Sequence, residues 1–374
     1  MRRSFSLLLL VFLVSLPAIV SAQVNTYTFG QSSGTYTDIG TGDTTVAFAT
    51  VTSAAAAIDD VIFPGNALPF TFTFNGTNYT SFTISSNGYI TFGATPPAAT
   101  LYSPISGTTA YDGAVAGYAR DVIGTRGVTA TRTSGSTTLT AVPAAQFVGL
   151  EVGRVITGTG IAAGTTITAL NSGAGTIDIS IAATASGTTA LTVASGSIRR
   201  STTGSVGSRV HTIQFKGFRP FTSAANSNYE EFQIKLFEGT NVVQVVYGNH
   251  ANSVSTTGQV GLRGLLNTDF NNRTTATNWS ATTAGATNAV TCTISSTVLP
   301  PSGLAFIWTP PAPPVGDDMG VTAVTIGSSP VQIISAGKGY NLTATAKNFG
   351  TNTQNVVPVY YTVNGGSPIG PVNT

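Results

Sequence analysis

From Phe70 the chain reads FTFTFNGTNYTSFTISSNGYITFG. The alternation of Phe70, Phe72 and Phe74 with Thr71 and Thr73 puts rings on one face of a predicted strand. Asn75-Gly76 follows, a pair favoured by type I′ hairpins because both central residues take positive φ. The return strand carries Tyr79, Phe82 and Ile84. Tyr79 and Phe82 differ in parity, so a bulge is needed if both are to share a face. Asn87-Gly88 makes the next turn and completes a meander, with Tyr89 and Phe92 on opposite faces. The period of two returns between Arg209 and Gly248. Val210, Thr212, Gln214 and Lys216 alternate with His211, Ile213 and Phe215, and later Phe232, Ile234 and Leu236 alternate with Gln233, Lys235 and Phe237. This second meander is expected to bury one face. Helical periodicity is missing. Short β-branched and aromatic runs between Gly, Asn, Ser and Pro clusters predict an all-β fold, an antiparallel β-sandwich.

Punctuation along the chain divides it further. Arg2 and Arg3 precede an apolar run from Leu7 to Val20, and Val20-Ser21-Ala22 places small residues where a signal peptidase cuts. Residues 1–22 therefore read as a secretory signal with Gln23 as the first mature residue. The run is shorter than the ~20 apolar residues of a membrane span, and no later segment reaches that length, so no transmembrane segment is expected. Residues 23–308 form the sandwich, interrupted at about 125–196 by a Gly/Thr/Ala-rich stretch. Its β-branched residues are too dense for a linker, which predicts a small inserted β unit. A proline-rich linker covers residues 309–316. Residues 317–374 carry the strand and turn rhythm of an immunoglobulin-like sandwich. They are fewer than the ~100 residues of a full domain of that kind, so this one is expected to be truncated.

Several phrases carry a family resemblance. YTFGQSSGTYTDIG, LPFTFTFNGTNYTSFTISSNGYITFG, IRRSTTGSVGSRVHTIQFKGF and NYEEFQIKLFEGTNVVQVVYG look like the N-terminal module of large secreted proteins from Bacteroidetes-type bacteria. That module is similar to the nidogen-like extracellular module, in which an NG-x-[IL]-x-F strand precedes an FQ-x-x-L-x-E-[GT] strand and a Tyr-Gly end. Here these are Asn87 to Phe92, Phe232 to Gly239, and Tyr247-Gly248. The tail from Asp317 resembles the cell-adhesion-related immunoglobulin-like domain known as CARDB, with its Lys347-Asn348-Phe349-Gly350 turn and YTVNGG hairpin. The segment GRVITGTGIAAGTTI departs from the module and resembles a Gly-rich β repeat of phage-tail and bacterial surface proteins. The resemblance implies a secreted, multidomain cell-surface protein concerned with adhesion. Type IX secretion is a common export route of such proteins.

Composition narrows the chemistry. Charged residues are 8% of the chain, against ~25% in ordinary globular proteins, but 41% is hydrophobic, enough to bury a core. Without Arg2 and Arg3, fourteen basic residues face fourteen acidic ones, so no basic footprint for nucleic acid is present. Cys292 stands alone and excludes an internal disulfide framework. No G-x-S-x-G elbow or H-E-x-x-H helix accompanies His211 and His250, and the spacing of Glu230 and Glu238 has no glycosidase signature. The chain is therefore expected not to be an enzyme and to need no cofactor beyond a structural calcium ion, for which Asp59, Asp60, Asp112 and Asp121 are the candidate ligands. Tyr79, Tyr89 and Trp279, the last in the polar stretch NNRTTATNWSATT, are the candidates for stacking on a glycan. The reading is adhesion, or binding to an extracellular glycan or matrix protein. Its alternatives are an accessory region of a secreted hydrolase and a surface-layer or fibre subunit that self-associates through exposed edges.

Overall fold

A computed structural model describes residues 23–40, 44–50, 57–222, 228–312, 319–326, 342–350, 352–354, 358–361 and 367–373. The signal segment, the second half of the proline-rich linker and the Asn364-Gly365 turn lie outside them. The chain is all-β, and its sheets are antiparallel. Helical segments among the described residues are short 3-10 turns such as Trp279–Ala281.

Two eight-stranded sheets form the main body. The first runs in the order Thr28–Ser33, Leu304–Thr309, Val243–Tyr247, Glu230–Phe237, Val210–Pro220, Ser197–Thr203 and Thr44–Phe48, with Val122–Ile123 paired to the end of Val210–Pro220. The second runs Thr283–Ala284, Phe270–Thr274, Thr256–Arg263, Gly113–Ala119, Tyr89–Phe92, Thr77–Ser85 and Ile62–Phe74, with Cys292–Ile294 paired to Thr256–Arg263. Between them lies one core, rich in rings from both sheets: Phe72, Phe74, Phe82 and Phe92 on one side, Phe215, Phe232, Phe306 and Trp308 on the other.

The alternation at Phe70 to Phe74 is the cause of this placement, since all three rings are buried in that core. Asn75 and Gly76 have φ of 52° and 76°, as the hairpin requires. The parity conflict between Tyr79 and Phe82 is resolved on the partner strand. Phe72 pairs with Tyr79 and Asn66 with Phe82, with an irregularity between Ala67 and Phe72. Tyr89 and Phe92 do fall on opposite faces, in separate hydrophobic clusters.

The second meander departs from expectation. His211, Ile213 and Phe215 face the core, but Gln214 and Lys216 on the other face are buried too, at 0% and 9% exposure. Residues 36–40 cover that face: Gln233 Nε2 donates to the Thr37 carbonyl at 2.6 Å, and Gln214 Nε2 to Asp38 at 2.9 Å. Glu151 approaches from the Gly/Thr/Ala-rich stretch and accepts two bonds from Arg199, at 2.9 and 2.7 Å. Alternation marks which side chains are polar. It does not reveal that a charged cover will bury them.

The Gly/Thr/Ala-rich stretch folds as two three-stranded sheets, Arg126–Arg132 with Gly187–Val193 and Ile156–Thr157, and Thr138–Leu139 with Thr176–Ile179 and Ile167–Asn171. They enclose an aliphatic cluster of their own, including Val128, Leu139, Ile156, Ile167, Ile177 and Leu191. Its two ends meet where Gly196 N–H donates to the Gly124 carbonyl at 2.7 Å.

A separate compact unit begins at Ala312. Among its described residues are two antiparallel strand pairs, Met319–Ile326 with Leu342–Asn348 and Pro358–Tyr361 with Ile369–Asn373.

Candidate functional site

The two ends of the second sheet hold the polar constellations. At one end the Asn75-Gly76 turn, Asp112 just ahead of Gly113–Ala119, and the loop between Arg263 and Phe270 converge with the N-terminal residues Gln23 and Asn25. They surround an open groove of about 470 Å³, which Tyr79, Thr77, Leu265, Leu266, Thr268 and Asp269 also line. Asp269 holds the N-terminal segment in place: its two carboxylate oxygens accept from Val24 N–H at 3.2 Å and Asn25 N–H at 3.0 Å. Tyr79 stacks on Phe92 with ring centroids 5.0 Å apart, and its hydroxyl is pushed up to about 12, first by burial and then by the Asp112 carboxylate. Asp112 in turn lies against Gly93, whose φ of +91° and lack of a side chain leave the carboxylate its place. Leu265 and Leu266 are 54% and 63% exposed, an apolar patch beside amides and carboxylates. The groove thus offers an aromatic edge, an apolar shelf and several hydrogen-bonding groups, the donor and acceptor mix that fits a hydroxylated ligand.

At the opposite end of that sheet, Asp59, Asp60 and Asp121 come together, each offering an oxygen within 4.8 Å of the others'. Asp59 and Asp60 precede the strand Ile62–Phe74, and Asp121 follows Gly113–Ala119. Asn87, in the turn between Thr77–Ser85 and Tyr89–Phe92, holds them together. Its Nδ2 donates to Asp60 Oδ1 at 3.0 Å, and its Oδ1 accepts from Val122 N–H at 3.3 Å. Tyr102 O–H donates to Asp60 Oδ2 at 3.1 Å. Burial raises the Asp59 carboxyl to about 6, with the neighbouring Asp60 and Asp121 charges adding to the rise and Arg219 opposing it. Asp121 is raised for the same two reasons, burial first and Asp60 second. Of the acids expected to share one calcium site, the structure therefore groups Asp59, Asp60 and Asp121 and places Asp112 in the groove at the other end.

Two of the aromatic candidates are corrected. Trp279 is 1% exposed and belongs to the core. Asn278 caps the short turn by accepting from Ser280 N–H at 2.9 Å, which folds the indole inward; Nε1 donates to the Thr293 carbonyl at 2.7 Å and the ring stacks on Phe306. Tyr89 is 0% exposed. Neither ring has a face to offer a sugar, whereas Tyr79 is partly exposed at the groove. The groove residues that sequence reasoning missed are Asn25, Leu265, Leu266 and Asp269. The one local signal, for the last three, is GLLNTDF, a pair of leucines followed by turn residues with no strand alternation; Asn25 has none.

The remaining reactive groups are buried or, for His250, half-buried. His211 packs edge-on against Phe82, with Nδ1 2.8 Å from the Thr202 hydroxyl, and His250 lies against Tyr247; burial lowers both to about 4. Cys292 is a free, buried thiol, pushed up to about 12 by that burial. No helix among the described residues is long and apolar enough to cross a membrane.

A family model described as NIDO related matches residues 26–141 and 157–310, spanning both sheets and the sandwich core. It is the nidogen-like module that the Asn87 to Phe92 and Phe232 to Gly239 motifs suggest. The break at 142–156 falls inside the Gly/Thr/Ala-rich stretch. No curated protein and no solved structure matches the chain.

Proposed function

This chain belongs to the NIDO related family, and from that premise we propose that it is a non-catalytic extracellular binding module of adhesion type that takes a glycan in the groove around Tyr79. The observation that carries the reading is the groove's composition. An exposed pair of leucines and a tyrosine edge lie beside Gln23, Asn25, Asn75, Asp112 and Asp269. Sugar rings present apolar C–H faces to such shelves and hydroxyls to amides and carboxylates. Histidines held below the usual range by burial and a protonated, buried thiol support a binding role over catalysis. The secretory signal, a surface location in a bacterium of the kind the resemblance names, and a CARDB-like domain from residue 317 belong to the same reading. On this reading the module is the ligand-facing part of a multidomain surface protein.

The test is a glycan array probed with the chain from Gln23 onward, followed by Tyr79→Ala and Leu266→Asp variants. The expected outcome is saturable binding that falls at least about tenfold in each variant, since one lost contact of about 1.4 kcal/mol is a factor of ten. Leu266→Asp, at an exposed position, should leave the unfolding midpoint little changed, while Tyr79→Ala also gives up the stack on Phe92. Binding that survives both substitutions would place the ligand elsewhere and remove the groove from the proposal.

A further inference from the structure

We propose that Asp59, Asp60 and Asp121 bind one hard divalent cation of the calcium class, which ties the chain ahead of Ile62–Phe74 to the base of the Gly/Thr/Ala-rich unit. Two observations converge on it. The first is geometry. Oxygens on opposite sides of a calcium ion are separated by at most twice the metal–oxygen distance of about 2.4 Å, and the three carboxylate oxygens fall within 4.8 Å of one another. The second is an orphaned acceptor. Asp59 is only 7% exposed, and both its Oδ1 and that of Asp121 are buried without a hydrogen-bond partner among the described residues. A buried carboxylate oxygen left unmatched is costly, and a cation is the group that satisfies several at once.

The local cations lie near enough to oppose the acids' mutual repulsion, Arg219 at Asp59 and Arg120 at Asp121, but leave the two Oδ1 atoms without a hydrogen bond. Arg120 pairs with Glu230 at 3.5 Å, and Arg219 donates from Nε to the Thr125 carbonyl at 2.6 Å and from Nη1 to the Pro220 carbonyl at 2.9 Å. The donor set is all oxygen, with neither His nor Cys in the cluster, so it suits calcium over zinc. A recess lined by Tyr102, Ser103, Arg120 and Asp121 borders the cluster on the Asp121 side. Placement gives the ion its work. Asp121 lies three residues before Gly124, which is bonded both to Ala57 and to Gly196 at the base of the inserted unit. An ion there fastens the point where that unit leaves the sandwich.

The experiment uses the chain from Gln23 onward, stripped with EDTA and then given calcium chloride at about 1 mM, within the range of extracellular calcium modules. Its unfolding midpoint is expected to rise by roughly 3–5 °C. The Asp59→Asn/Asp121→Asn double variant separates a cation site from a merely crowded acid cluster. It is expected to melt higher than the wild type without calcium, because two repelling buried charges become amides, and to show no calcium shift. Terbium emission sensitised by Tyr102 gives a second readout on the unaltered protein: emission that calcium displaces and that Tyr102→Phe dims supports the site even if the double variant fails to fold. A wild type with neither calcium shift nor calcium-displaced emission overturns the proposal, as does a double variant that responds to calcium as the wild type does.

Discussion

On its inner face the first sheet carries Ile213, Phe215, Phe232 and Ile234, packed against the second sheet. On its outer face the same strands carry Gln214, Lys216 and Gln233, beneath residues 36–40 and Glu151. Both faces are dry. The inner face is held by ring packing: Phe215 and Phe232 stack with centroids 4.9 Å apart. The outer one is held by charges and amides, with Glu151 within ion-pair distance of Arg154, Arg199 and Lys216, and Asp38 paired with Lys216. Apolar burial is non-directional, but a buried charge is stable only while its partner stays in place. The two faces should therefore respond to different insults, and that expectation can be broken.

The largest effect is expected on the inner face. Phe232→Ala removes a ring that is 3% exposed and leaves a cavity between the sheets, at a cost of about 4 kcal/mol. Denaturant unfolding with an unchanged slope should report it. A loss below about 1 kcal/mol, the scale of a surface change, would mean that the ring is not closing the sandwich as the geometry implies.

Glu151→Gln comes next, on the outer face. It leaves Arg199, 1% exposed, without its bidentate partner, and the loss should be about 3 kcal/mol. Its pH dependence is the sharper test. Glu151 is lowered from 4.5 to about 2: burial alone would raise it, but the Arg199 hydrogen bonds and the charges of Arg154, Lys216 and Arg199 outweigh that. Asp38 is likewise lowered from 3.8 to about 2, through Lys216, Gly40 and Gln214 against its own burial. A carboxyl depressed in the folded state binds its proton more readily when unfolded. The stability it lends is complete above about pH 4.5 and is lost as pH falls toward 2. The wild type should lose more stability than Glu151→Gln across that window, and equal losses would detach the outer network from acid sensitivity.

The inner face was legible in the chain because alternation is a local property. Phe70, Phe72 and Phe74, and again His211, Ile213 and Phe215, declare one face each within a few residues. The outer cover was not legible, because Asp38 and Glu151 lie 178 and 65 residues from Lys216 and share no pattern with it. The same reason explains the candidate sites. Asp59, Asp60 and Asp121 could be singled out as hard-ligand residues, but the sheet decides their grouping: Asp112 and Asp121 lie at opposite ends of Gly113–Ala119, and Asn87 bonds Asp60 beside Asp121. Trp279 misled because a polar loop says nothing about where a capped turn points its indole. Tyr79 stood out as a tyrosine on a strand, and the leucines that make its surroundings a groove lie in a loop nearly two hundred residues further on.

The smallest effect tests shape on the inner face. Gly117, on Gly113–Ala119, faces Phe232 so closely that a Cβ built there would sit 2.3 Å from the ring. Tyr247 O–H also donates to the Gly117 carbonyl at 2.9 Å, which fixes the strand at that spot. Gly117→Ala must therefore push either the ring or the strand, and overpacking of this kind should cost about 2 kcal/mol. If the collision is the cause, pairing Gly117→Ala with Phe232→Leu should recover part of the loss, because the smaller side chain makes room for the methyl group. A double-mutant cycle measures this, and the coupling should be favourable. Strict additivity would show that the ring across the sandwich is not what excludes a side chain at Gly117.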